Sequence, residues 1–415
     1  MVVAAAPATS SASGAAPMCR TKKSTQAIEP KSPNQHRKSS SSSVPDPSFA
    51  HFSTNDNNSS YNFSKSSTSS SVPSLRSFKA SLPENPQIYD FSEIRSATSN
   101  FLPHGRLSSS STSSSWRCSL RSKDAVIFQR KSRIPISLPD LQRRLSLISK
   151  SHHSSLIKLL GASLSGSYVY LVYEFVAGAS LADCLRNPKN PSYTVLSSWL
   201  SRMQIATDLA HGLDYMHHGS GLDSTFVHNH IKSSSIIVSE EDNLVLGAKI
   251  CHFGTAELCG ETQARSTKLE GTRGYMAPEF QLTGIVTQKC DVYAFGVVLL
   301  ELISGAEPLK YIMDESGADG VYRRVSVIES AREAVRSGAR GGVRRWVDRR
   351  LKDSFPMDVA DKMVLVALEC VEEDPDRRPD MDRVAGLVSK LFLESHSWAE
   401  KMGVPIDISV SFAPR

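Results

Sequence analysis

The chain has 415 residues, of which 40% are hydrophobic, and a net charge of +6. That apolar content suffices for one large domain or two to three smaller ones, and the basic clusters carry no interleaved aromatics, so no nucleic acid is expected as a partner. Seven scattered cysteines without a C-x-x-C pair indicate neither a disulfide framework nor a zinc finger.

The first segment, 1–87, is rich in Ser, Ala and Pro ("SSSSSVPDPS"). Such a composition buries too little apolar surface to offset chain entropy, which predicts a disordered tail. Its start lacks the apolar core of a secretory signal and has no Gly at position 2, so N-myristoylation is not expected. Two addresses stay open: an organellar transit peptide, since the first acidic residue is Glu29, and palmitoylation at Cys19 beside Arg20, Lys22 and Lys23. No apolar run is long enough to span a bilayer; "VVLLELI" is far too short.

From 88 onward, regular periods predict a globular region to about 395. "IYDFSEIRSATSNF" places Phe91, Ile94 and Ala97 on one helical face, with Asp90 or Ser92 as N-cap. "SSSSTSSS" at 108–115 is unsuited to any regular core element. "DAVIFQR" reads as a buried strand. "SLPDLQRRLSLISK" reads as a helix with Pro139 in its first turn, and "YVYLVYEFV" as a strand after the "SGS" turn. A long amphipathic helix follows, with Leu200, Met203, Ala206, Ala210 and Leu213 on one stripe. Next come "SIIV" and "AKIC", two short strands about a polar turn. "DVYAFGVVLLELISG" (291–305) is apolar nearly all round and predicts a buried central helix. Helical patterns continue to about 395, leaving 396–415 as a tail.

Three ordered segments, "GTRGYMAPEF" (271–280), "DVYAFGVVLLELISG" and "DPDRRPDM" (374–381), together resemble the protein kinase superfamily, specifically plant receptor-like kinases, LysM-type receptor kinases among them. "YDFSEIRSATSNF" resembles the segment leading into such domains. The resemblance implies an α+β, bilobal protein kinase fold: a small antiparallel N-lobe over about 88–175 and a mostly helical C-lobe over about 176–395.

It also implies where catalytic groups belong. "FVHNHIKSSSIIV" (226–238) lies where the catalytic loop should, with His230 at the base position, Lys232 retained, and Ser235 at the metal-binding Asn position. "KICHFG" (249–254) puts His252 at the metal-binding Asp position. Phe128, or Ile127 in the alternative register, holds the place of the strand Lys, and Arg144 that of its Glu partner. Arg130 and Lys131 lie nearby, but strand alternation aims neighbours at different faces. The loop "LSSSSTSSSWRC" has no glycine for close approach to phosphates. Tyr173, Glu174 and Val176 resemble the gatekeeper and hinge, whose backbone is able to hold an adenine. Residues of architectural type match the family: His228, Phe253, Gly254, Glu279, Asp291 and Arg378.

Magnesium prefers oxygen ligands and gains little from imidazole, so a lost site on a kept scaffold implies a pseudokinase. No cofactor is expected, and ATP binding without magnesium stays open. His228, His230, Cys251 and His252 match no metal-ligand spacing, so no metal site is expected. Asn229 stands where many kinases keep an Arg that receives an activation-loop phosphate, so phosphates on Ser266, Thr267 or Thr272 would lack that partner. The implied partner is an active kinase or receptor kinase, in the cytoplasm or peripherally at the plasma membrane. Two rivals remain: a weak Ser/Thr kinase using His230 as base, and an adaptor binding a membrane or nucleic acid through the basic stretch 339–352.

Overall fold

The computed structural model describes residues 86–403 except 111, 188–194, 220, 242–244, 263–269, 314–321 and 338–340. The expectations for the tail through residue 85, for Cys19, and for Ser266 and Thr267 lie outside the described residues. Gln87, assigned to the tail from composition, belongs instead to the first strand, β1 (Gln87–Ile88).

The N-lobe is a six-stranded sheet made of β1, β2 (Arg106–Ser109), β3 (Ser113–Leu120), β4 (Lys123–Lys131), β5 (Leu159–Ser165) and β6 (Tyr168–Glu174). Their order is β1-β5-β6-β4-β3-β2, antiparallel throughout except for the β1–β5 pair. Gly161 admits β1, because a Cβ there would lie 2.1 Å from the Gln87 carbonyl oxygen. Helix α1 (Phe91–Ala97) is capped by Asp90, which accepts from the Ser92 N–H while Glu93 reaches back in a capping box. Its Ile94 is fully buried against the sheet's outer face with Tyr89, Ile127 and Tyr170, and that burial contributes about 2 kcal/mol.

The serine-rich stretch, expected to suit no core element, forms a β2–β3 hairpin whose first strand is exposed throughout. Facing hydroxyls satisfy one another, Ser108 to Ser115 at 2.7 Å and Ser110 to Ser113 at 2.9 Å. Paired hydroxyls therefore make a strand tolerable where apolar side chains are lacking.

Helix α2 (Leu138–Ile148), capped by Ser137 with Pro139 in its first turn, buries Leu141, Leu145 and Ile148 on the sheet's inner side. After β7 (Ala179–Ser180) and α3 (Leu181–Arg186), the C-lobe is built on α4 (Trp199–His218) and α7 (Gln288–Ser304). Strands β8 (Ile236–Glu241) and β9 (Val245–Ile250) pair antiparallel. Short helices α5 (Thr255–Leu258) and α6 (Pro278–Thr283) flank the segment between them and α7. Helix α7 buries Phe295, Val297, Val298 and Leu299 completely, matching its all-round apolar sequence.

Beyond α7 the purely helical expectation fails in one place. A two-stranded ribbon, β10 (Leu309–Met313) with β11 (Tyr322–Ser326), precedes α8 (Val327–Arg336). Its tyrosines, Tyr311 and Tyr322, are exposed, so no apolar stripe announces the strands. Helices α9 (Gly342–Trp346), α10 (Met357–Cys370) and α11 (Met381–Met402) complete the lobe. The last runs past residue 395, where the domain was expected to end, because Ala399 is still fully buried. Among the described residues no helix is long and apolar enough to cross a membrane.

Candidate functional site: the interlobe cleft

Strand β4 decides the register at the strand-Lys position. Ile127 joins the outer cluster, while Phe128 joins the main core facing the C-lobe. The Phe128 ring lies 4.2 Å, centroid to centroid, from that of His252. An apolar ring thus stands where phosphate-binding charge was sought, tilted at 36° against the side chain at the expected metal-Asp position.

Two residues further on, alternation returns to the same face, so Arg130, not Lys131, reaches the cleft. Its Nε donates to Glu261 Oε1 at 2.8 Å, with both side chains buried, and its Nη1 donates to Thr112 Oγ1 at 2.9 Å. Glu261 follows α5 in the activation segment. Its second oxygen accepts from Asn229 Nδ2 at 2.9 Å and lies 3.1 Å from His230 Nε2. The imidazole nitrogen is close enough for an ion pair but off the direction a hydrogen bond needs. Burial opposes ionisation of Glu261, yet His230, Arg130 and Arg133 outweigh it and hold the carboxyl far below the usual range. Arg130 stood in the sequence only as a neighbour able to replace the strand Lys, and Glu261 was not named from it. They lie 131 residues apart, and no local pattern links them.

Arg144, at the expected Glu position, donates from Nη1 to the Glu257 carbonyl oxygen at 2.8 Å and lies 3.6 Å from the Glu257 carboxylate. Helix α2 is therefore tied to the activation segment by an arginine, with no carboxylate offered to β4.

The turn carrying His252 is held from both lobes. Tyr173 donates its hydroxyl to the Phe253 carbonyl at 2.9 Å and meets Thr255 Oγ1 at 3.0 Å. His252 adopts a left-handed φ of 67°, tolerable for histidine but uncommon. Gly254 has φ 80°, and a Cβ there would lie 3.0 Å from Ile148 Cγ2, so glycine is required. Burial, then His230 and His228, pull the His252 imidazole well below its usual range; its Nδ1 is enclosed and lacks a hydrogen-bond partner.

His228 is anchored as a neutral ring. Its Nε2 donates to the Cys251 carbonyl at 2.9 Å, while Nδ1 accepts from the His230 N–H at 3.2 Å. Burial pulls it down to about 4, the Asp291 carboxylate opposing. Asp291, at the head of α7, accepts the backbone N–H groups of His228 at 2.7 Å and Asn229 at 2.8 Å. Glu279 and Arg378 form a bidentate pair at 2.7 and 2.8 Å. Lys232 donates to Thr272 Oγ1 at 3.3 Å.

Ser235 is 1% exposed and its hydroxyl has no hydrogen-bond partner. A buried imidazole and one hydroxyl do not fit magnesium, which demands several oxygen donors in octahedral array. Among the described residues no cluster of His, Cys, Asp and Glu fits any metal ion. The cleft contains a cavity of about 580 Å³ running from the serine hairpin past His230 and Lys232 to Thr272 and Tyr275. None of Tyr173, Glu174 and Val176 lines it. Val176 packs on the core instead, and Glu174 accepts from the Lys158 N–H at 3.0 Å. The expected hinge contact to an adenine is thus not joined to this cavity.

The basic stretch is partly neutralised: Arg344 pairs with Asp353, and Arg350 with Asp348, which also holds the buried Arg202 at 2.7 Å.

A family model for the protein kinase domain matches residues 126–387. The chain belongs to the protein kinase family. LysM domain receptor-like kinase 3 of Arabidopsis thaliana is 33% identical over 74% of this chain and 46% of that protein. PTI1-like tyrosine-protein kinase 3 of the same plant is 31% identical over 73% of this chain and 72% of that protein. The chain thus spans about half the length of the LysM relative, and these similarities place it with plant receptor-like kinases. Among solved structures, the pseudokinase domain of BIR2, described as an immune regulator of the RLK/Pelle family, superposes with a TM-score of 0.58 at 22% identity, over 81% of this chain and all of that one. That likeness shows the bilobal kinase fold.

Proposed function

We propose that this kinase-family chain is a pseudokinase that binds an active kinase or receptor kinase and modulates its signalling. The observation that carries the reading is the Phe128 ring in tilted contact with His252, 4.2 Å between centroids, where cation, carboxylate and metal should meet. Phosphoryl transfer leaves a protein little to do except position groups and neutralise charge, and this cleft provides neither metal ligand nor phosphate-facing glycines. The kept scaffold, Asp291 on the catalytic-loop backbone and Glu279 on Arg378, suits a binding surface that must stay folded. We place its action in the cytoplasm, at or near the membrane where a receptor partner resides.

The test is ATP-dependent phosphate transfer together with a thermal-shift titration, with and without Mg²⁺ and Mn²⁺. A ligand that binds only the folded state raises the melting temperature; no rise and no transfer are expected. The triple variant His230→Asp, Ser235→Asn, His252→Asp is also expected to remain inactive, since Phe128, Arg144 and the serines persist. Metal-dependent transfer by the natural chain that disappears in His230→Ala would replace this reading with that of a weak Ser/Thr kinase.

A further inference from the structure

The cleft that catalysis has left carries unspent donor chemistry. Lys232 and Arg130 both line the cavity, and among the described residues Lys232 has a hydroxyl partner but no carboxylate. The Ser235 hydroxyl lines the same cavity, almost wholly buried and without a partner. Thr112 overhangs it from the hairpin, already bonded to Arg130. Two cations and hydroxyls lining one cavity are the donor set that a phosphate monoester takes, since charge-assisted hydrogen bonds to a dianion are the strong ones. The dianion must outcompete Glu270, which lines the same cavity 3.6 Å from Arg130. The occupant now nearest Arg130 is the Glu261 carboxylate, a monoanion that shares one oxygen between Asn229 and a misdirected imidazole.

We propose that this cavity binds a phosphorylated serine or threonine side chain of a partner protein, without a metal, between Lys232, Arg130 and the Ser235 hydroxyl. The direction of entry favours a peptide over a nucleotide. Phe128 and His252 meet in a tilted contact at one end and none of the named hinge residues lines the space, whereas Thr272, Tyr275 and Met276 of the activation segment do. The dianion displaces Glu261 from Arg130, so one tie between β4 and the activation segment is released as the phosphate docks, while Arg144–Glu257 and Arg133–Glu270 remain. This rests on the reading of the cleft as non-catalytic and names the ligand class by which the partner is held.

The experiment uses the full chain in EDTA and fluorescence anisotropy of a short dye-labelled Gly-Ala peptide carrying one phosphoserine. The phosphopeptide is expected to bind at least about tenfold more tightly than its unphosphorylated twin, and Lys232→Met to erase that preference. Glu261→Gln, which removes the competing charge at equal size, is expected to tighten binding several-fold; damage to the fold does not produce a gain. Equal affinity for both peptides, an undiminished preference in Lys232→Met, or equal affinity for inorganic phosphate and the phosphopeptide would overturn the proposal. Phosphate transfer with Mg-ATP, measured on the same preparation, reports on the non-catalytic reading alone. Transfer would sink that reading, whereas absence of both transfer and phosphopeptide preference would sink only this inference.

Discussion

Two arginine–glutamate pairs with buried arginines, one in the scaffold with its Glu279 partly exposed and one in the cleft, are built differently. Arg378 spends all five N–H groups: two on Glu279, and three on the carbonyls of Lys289, Glu372 and Glu373. Nothing else competes for it, and Tyr293 lies beneath its guanidinium at 5.0 Å. Arg130 divides itself among Glu261, Thr112 and, at 3.6 Å, Glu270. A fully satisfied pair is a fixed joint; a shared one has alternative partners of similar energy. The scaffold pair joins α6 to the loop before α11, and the cleft pair joins β4 of the N-lobe to the activation segment.

The largest expected effect tests the scaffold side. Arg378→Ala strands Glu279 and three carbonyls, and should cost about 3–5 kcal/mol of stability in urea denaturation; a loss below about 1 kcal/mol would remove the distinction between the pairs.

Next in size is a pH dependence. The folded-state value of His228, about 4, lies below its ordinary 6.5, so between those values the unfolded chain takes up a proton that the folded chain refuses. Stability from this group is complete above pH 6.5 and should fall by about 3 kcal/mol as pH drops to 4. His252 acts in the same direction, and Glu261 adds its loss only below the usual carboxylate range. Denaturation midpoints that stay flat between pH 6.5 and 4 would show that these rings are not held neutral.

The smallest effect sharpens the comparison. The double variant Arg130→Gln, Glu261→Gln replaces a shared ion pair with two amides able to bond each other, and should cost about 1 kcal/mol or less. A loss matching that of Arg378→Ala would make the cleft pair a structural joint after all.

The order of helices and strands was legible because each period is local. The apolar wrap of α7 and the caps of α1 and α2 are written within a few residues of where they act, whereas α4, expected to bury one stripe, is buried well beyond it, at Ile205, Leu209 and Met216 among others. The loop and turn that carry His230, Ser235 and His252 were legible from motif order, whereas the choice between Phe128 and Ile127 needed the strand's facing, which the structure supplies. The β10–β11 ribbon was not legible, because its two tyrosines are exposed and most described positions of its strands lie at the surface. Nor was the serine hairpin, whose hydroxyls are satisfied only once two strands meet.

By itself, then, the sequence determined the fold and the order of the residues that line this cleft. Only the tertiary structure decided how they meet: Phe128 against His252, and Glu261 between Arg130, Asn229 and His230. Those contacts join residues up to 131 positions apart. Electrostatic and ring contacts of that span leave no period in the chain, and they exist only after burial strips the water from charges that would otherwise remain apart.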